Sequence, residues 1–167
     1  MAEERSKNSS ITKIILDANV WIKAIFGFDK LALSIIKKCL KGELYIIVNS
    51  YIIAEITRVL KRIAYRIGLN PLNLERKFWI IINSPYVIKD FKEPLSEDLL
   101  RMIRKKDEIL VIAKTFNLEP KDVPYIVSAF KHRAIIITYD DRSLYKMRDE
   151  IKKKINVMIK TPKEFQK

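Results

Sequence analysis

Two stretches of the chain, Ile14-Ile15-Leu16 and Ala134-Ile135-Ile136-Ile137, are apolar without interruption. A strand with one wet face alternates, so unbroken runs of this kind predict central strands of a parallel sheet covered on both sides. The wider pattern predicts strands over 11–17, 44–48, 86–89, 134–138 and 155–159. Helical spacing of apolar positions predicts helices over 18–25, 28–41, 50–67, 71–83, 96–117, 123–133 and 141–150. Strands alternating with helices imply an α/β fold, a three-layer α/β/α sandwich around a central, mostly parallel sheet. Residues 1–10 are polar and charged and predict a frayed tail, without the apolar segment of a secretory signal. A single domain is expected over 11–167, a length able to bury a core.

Both apolar runs end in an acid: Asp17 directly, and Asp140 after Thr138-Tyr139. In a parallel sheet the carboxyl ends of the strands share one edge, and the crossover helices begin at that edge. Asn49-Ser50 predict a helix cap, which puts Glu55 in the second turn, and Asp122 predicts a cap ahead of Val123-Pro124. At 100° per residue Glu55 lies roughly 60° from the centre of the stripe Ile52, Ile56, Val59 and Ile63, at the core margin. Asp17 and Asp122 could each be a cap and Asp140-Asp141 a turn, but the four acids converge on strand direction alone.

Such a cluster is costly. Unit charges about 4 Å apart repel by roughly 4 kcal/mol at an effective dielectric of ~20. Spreading, protonation or a cation relieves this, and oxygen-only ligands favour Mg²⁺ or Mn²⁺, singly or as a pair, with a water as nucleophile. A half-buried Glu55 without a partner would gain one from the metal. Asn19 could steady the acids or simply open the helix, and Thr138 could face a water or a phosphate or simply end its strand.

Charge strengthens this picture. Thirty-three Lys and Arg against 20 Asp and Glu give a net charge of +13 and a pI of 9.8, the footprint of a polyanion binder. No apolar run approaches the ~20 residues of a membrane span. One cysteine, Cys39, permits no internal disulfide and implies the cytoplasm, and its apolar helix implies a core position. The sole histidine, His132, stands at a helix end where a cation suits the dipole. Lys37-Lys38 and Lys152-Lys153-Lys154 are expected to be solvated. Most of the tryptophans and tyrosines are expected to pack, and Trp21, one turn after Asp17, is the one placed for a substrate contact.

The segments Asp17-Ala18-Asn19-Val20-Trp21-Ile22, Ile52-Ile53-Ala54-Glu55-Ile56, Asp122 to Ala129 and Ile137-Thr138-Tyr139-Asp140-Asp141 resemble, in this order, the PIN-domain ribonucleases. The resemblance implies a Mg²⁺- or Mn²⁺-dependent endonuclease of single-stranded RNA, often the VapC-type toxin of a toxin–antitoxin pair and often a homodimer. It matches the family's four acids to Asp17, Glu55, Asp122 and Asp140, its polar residue two after the first acid to Asn19, and its hydroxyl to Thr138. Many members carry a further acid two positions after the fourth; here that position is Arg142, with Asp141 offset by one. The chain is also longer than the compact toxins, with the extra length expected over 61–95, which carries Arg62, Arg66, Arg76 and Lys77.

Rival readings make different demands. A haloacid-dehalogenase-type phosphatase wants a second Asp two residues after the first, where Asn19 stands. A receiver domain wants an acid ending a central strand, where Val48 is followed by Asn49-Ser50. An RNA-processing nuclease without an antitoxin, and a non-catalytic RNA-binding protein with a vestigial acidic pocket, remain as alternatives.

Overall fold

The computed structural model describes residues 11–96 and 98–167, so the tail expected over 1–10 lies outside the described residues. Five strands, β1 (Lys13–Leu16), β2 (Tyr45–Asn49), β3 (Val87–Asp90), β4 (Ile135–Ile137) and β5 (Ile159–Lys160), form one sheet. Its order is β3-β2-β1-β4-β5 and every pairing is parallel. Ile14, Ile15, Leu16, Ile46, Ile47, Val48, Ile136 and Ile137 are fully buried, as continuous apolar runs require.

Helices α1 (Ala18–Ile25) and α2 (Lys30–Leu40) link β1 to β2, and α3 (Ser50–Arg66) and α4 (Pro71–Ile82) link β2 to β3. Then α5 (Leu99–Arg104), α6 (Asp107–Phe116) and α7 (Val123–His132) lead back past β1 to β4, and α8 (Arg148–Ile155) leads to β5; α9 (Pro162–Phe165) closes the chain. Right-handed crossovers place the helices made before this reversal on one face and those made after it on the other, which gives the three layers. The reversal falls between β1 and β4, where the loops leaving the two strands diverge and open a crevice at their carboxyl ends.

The helix expected over 96–117 is instead two helices. Lys105 ends α5, and Lys106 adopts extended backbone (φ −62°, ψ 134°) before α6 starts. Basic Arg101 and Arg104 close α5 while acidic Asp107 and Glu108 open α6, each suiting the helix end it occupies. The helix expected over 141–150 begins later, at Arg148, after a run of turns, and ends at Asn156 in the left-handed region (φ 56°). That displaces the last strand from 155–159 to Ile159–Lys160. The buried stripe of α3 is also turned from the expected one. Ile52, Ile53, Ile56, Leu60 and Ala64 form it, and Val59 and Ile63 lie at its margin.

Cys39 is buried and Lys152, Lys153 and Lys154 are exposed, as expected, and Lys37 is exposed while Lys38 is half-buried. Arg62, Arg66, Arg76 and Lys77 lie exposed on α3 and α4. No helix among the described residues is long and apolar enough to cross a membrane.

Candidate active site

Asp17 follows β1 directly. Its backbone N–H still bonds the Ile137 carbonyl of β4 at 3.0 Å, so the residue is fixed at the junction of the two strands. Its side chain caps α1 by accepting from the Ala18 N–H through Oδ1 at 2.7 Å. On Oδ2 it accepts from Thr138 Oγ1 at 2.7 Å and from Asn19 Nδ2 at 2.9 Å. Thr138, the first residue after β4, thus holds the acid itself, and its Oγ1 also accepts the Asp140 N–H at 2.9 Å. Asn19 bridges back to the same loop by accepting the Tyr139 N–H at 3.2 Å. Burial, reinforced by the charges of Glu55 and Asp140 and opposed by the bonds from Thr138 and Ala18, pushes Asp17 from its ordinary 3.8 up to about 6.

Asp122 stands immediately before α7 but does not cap it. Its backbone is helical (φ −89°, ψ −20°), and no N–H of the first turn reaches its side chain. With Pro124 in that turn there is one donor fewer to satisfy. Asp122 Oδ2 instead accepts from Ser143 Oγ. Burial, aided by the charges of Asp17 and Asp140, raises Asp122 from 3.8 to about 6.

Glu55 proves to have partners, contrary to the expectation that a metal would be needed to supply one. Arg104 of α5 donates to Oε1 at 3.3 Å, and Tyr125 of α7 donates to Oε2. Arg104 also donates through Nε to the Tyr51 hydroxyl at 2.8 Å, and Tyr51 donates to the Lys121 carbonyl at 3.0 Å, just ahead of Asp122. Burial raises the Glu55 carboxyl, opposed by Tyr125 and Arg104. Asp140 is half-buried, with Oδ1 accepting the Arg142 N–H at 2.9 Å, and Asp141 is exposed beside it.

Asp17, Glu55, Asp122, Asp140, Asp141 and Asn19 all line one cleft of about 710 Å³ at the carboxyl edge of the sheet. Lys23, Lys121 and Arg142 line it too, as do Val59, Ile63, Phe28 and Tyr139. Trp21 does not. It is wholly buried, edge-on to Phe78 at 5.3 Å and 89°, and cannot meet a substrate as expected from the sequence. His132 is likewise outside the cleft, with Nε2 2.8 Å from Asp90 Oδ2. Ser143, Arg104 and Tyr125 were not foreseen. They come from the segments whose secondary structure departs from expectation or from positions that read as plain core, and a tyrosine on an apolar helix face is the one signal that could have been followed.

The donor set has the character a hard divalent ion requires: carboxylate oxygens, two of them on acids whose ionisation is held back by burial and by neighbouring carboxylates. No three His, Cys, Asp or Glu side chains among the described residues are drawn together tightly enough to grip one ion. Mg²⁺ is bound through one or two carboxylates with waters completing its shell, and the cleft offers carboxylates of that kind. Asp122 Oδ1 and Asp140 Oδ2 have no hydrogen-bond partner among the described residues, whereas both oxygens of Glu55 are engaged.

Residues 14–150 match the PIN domain family. The chain belongs to that family. PIN domains are nucleases as a class. Among solved structures this PIN domain is similar to VapBC2 from Rickettsia felis bound to a DNA fragment from their promoter, at 14% identity and a TM-score of 0.56, over 90% of this chain and 98% of that one. It is also similar to a protein of Pyrobaculum aerophilum, at 20% identity and a TM-score of 0.52, over 93% of this chain and 88% of the other. At these identities the likeness is one of fold. No curated protein matches the chain.

Proposed function

We propose that this PIN domain is a metal-dependent endoribonuclease of single-stranded RNA, with Asp17, Glu55, Asp122 and Asp140 as its acidic centre and Mg²⁺ or Mn²⁺ as its cofactor. The observation that supports this best is one cleft, at the reversal point of the sheet, lined by all four acids in a chain of net charge +13. A divalent ion bound there supplies Lewis acidity toward the phosphodiester and toward an attacking water.

The chain's own residues do the rest. Asn19 and Thr138 restrain Asp17 through two hydrogen bonds, which lowers the ordering cost on forming the complex. Asp122 and Asp140 each offer an open oxygen, and Asp141 at the rim adds negative charge. Arg104 and Tyr125 fix Glu55 at the cleft wall, where its charge reinforces the demand for a cation. Lys23, Lys121 and Arg142 face the same cleft and attract the RNA backbone. Cleavage of single-stranded RNA with Mn²⁺, and its loss with a chelator, tests this reading; binding without turnover under both conditions would instead leave an RNA-binding protein.

The more specific role proposed is the toxin of a type II toxin–antitoxin pair, acting in the cytoplasm. Its support is the PIN-family order of motifs, a family that often supplies VapC-type toxins, and the fold shared with VapBC2. An antitoxin is then the expected partner, and the test is whether the product of the neighbouring reading frame co-purifies with the chain and suppresses cleavage. Homodimerisation is proposed from the turn between α3 and α4, where Tyr65, Ile67, Leu69 and Leu72 are all exposed. Light scattering of the Leu72→Glu variant tests it, and an unchanged mass would discard this surface.

A further inference from the structure

We propose that Phe28 is a base-stacking platform at the mouth of the acidic cleft, which seats an unpaired nucleobase beside the cleaved phosphodiester. The inference rests on the RNA-cleaving reading above and adds to it the contact that sets where the strand lies.

Phe28 lies in the loop between α1 and α2 and is 65% exposed, though it lines the same cleft as the four acids. A phenylalanine this open to water gains little from burial, so packing does not account for it. One ring face is engaged: Phe28 stacks on Phe26 with ring centroids 5.1 Å apart and planes 14° from parallel. Phe26 is itself packed against the hydrophobic core, so the pair is anchored from beneath. The 65% exposure leaves the outer part of Phe28 presented to solvent.

The loop that carries it is held on both sides. Gly27 turns the chain in the left-handed region (φ 72°), and the Phe28 N–H bonds the Lys23 carbonyl at 2.9 Å. Asp29 then caps α2, accepting from the Leu31 and Ala32 N–H groups at 2.7 and 3.0 Å. A pinned loop presents the ring in one place, which lowers the ordering cost of stacking.

The neighbours suit a nucleotide more than an apolar peptide. Lys23 lines the cleft with its Nζ 3.9 Å above the Tyr139 ring, and Lys121 and Arg142 line the same cleft. Open aromatic faces interleaved with cations are what a single strand requires: rings for bases and ammonium or guanidinium groups for phosphates. Acids then meet the phosphate only where a cation mediates.

The test uses short single-stranded RNAs carrying 2-aminopurine at successive positions, with the full chain bearing Asp17→Asn in the presence of Mg²⁺ so that the RNA stays intact. Binding is expected to quench 2-aminopurine at one position. Phe28→Ala on the same background should remove that quench and weaken binding by about fivefold to a hundredfold, the range of one base-stacking contact. Phe28→Trp should keep both, and Phe28→Leu, apolar but without a ring, should lose both. RNA bound equally well by the Ala and Trp variants, with the quench unchanged, would overturn the platform and leave the nuclease reading standing. RNA not bound by any form, the unsubstituted chain included, would overturn both.

Discussion

Thr138 Oγ1 donates to Asp17 Oδ2 at 2.7 Å, joining the ends of two adjacent strands whose residues lie 121 positions apart. The bond stabilises the ionised acid against burial. Thr138→Val removes that donor and also the acceptor of the Asp140 N–H. We expect a loss of about 1–3 kcal/mol in stability, the cost of stranding a buried polar group. Asp17 should also ionise at higher pH, so Mn²⁺ affinity measured by calorimetry should need a higher pH to develop, and Thr138→Ser should restore it. A Val variant with unaltered affinity at every pH would detach Thr138 from the site.

Asp122 is expected to cost the metal-free protein stability. Its folded value of about 6 lies above the ordinary 3.8, so the folded chain holds the proton more tightly than the unfolded chain. The stability so gained is present below 3.8 and is lost as pH rises to about 6, a loss of about 3 kcal/mol by linkage. Asp122→Asn, which can still accept from Ser143, should therefore be more stable than the parent near neutral pH without metal and no more stable near pH ~4. Urea unfolding across this range measures the difference, and a variant no more stable at neutral pH would refute it.

Arg104 is expected to matter through Glu55 and not through RNA. Both side chains are largely enclosed, 27% and 12% exposed, so losing Arg104 removes the ion pair and leaves Glu55 with the Tyr125 hydroxyl as its hydrogen-bond donor. Arg104→Met should destabilise the chain by about 2 kcal/mol and raise the pH at which Glu55 ionises. Arg104→Lys should recover little, because a single ammonium cannot reach both Glu55 and the Tyr51 hydroxyl in the guanidinium's geometry. Chemical denaturation of both variants checks this, and full recovery by lysine would contradict it.

Much of this arrangement is legible in the chain. Uninterrupted apolar runs at 14–16 and 134–137 predict central strands, and strand direction then carries Asp17, Asp140 and the two helix starts to one rim. Neither α5 nor α6 has a glycine or proline at their break, so period alone merges them; the switch from Arg101 and Arg104 to Asp107 and Glu108 was the available cue. Ser143 could not be read at all, because it reaches Asp122 from a run of turns with no periodic pattern. Trp21, placed by the sequence for a substrate contact, is core, and Phe28, which the sequence did not single out, lines the cleft, for a common reason. Proximity to Asp17 in sequence places Trp21 on the inner face of α1, whereas Phe28 comes to the cleft through a loop whose path depends on the Gly27 turn.

The central claim is that the four-acid cleft cuts RNA with a divalent ion, and the direct measurement is cleavage of single-stranded RNA by the parent chain and by Asp17→Asn, each with Mn²⁺ and with chelator. The expected result is turnover by the parent with Mn²⁺ alone, and a fall of at least about a hundredfold in the folded Asn variant. Undiminished cleavage by Asp17→Asn, or cleavage by the parent that survives the chelator, would contradict the account.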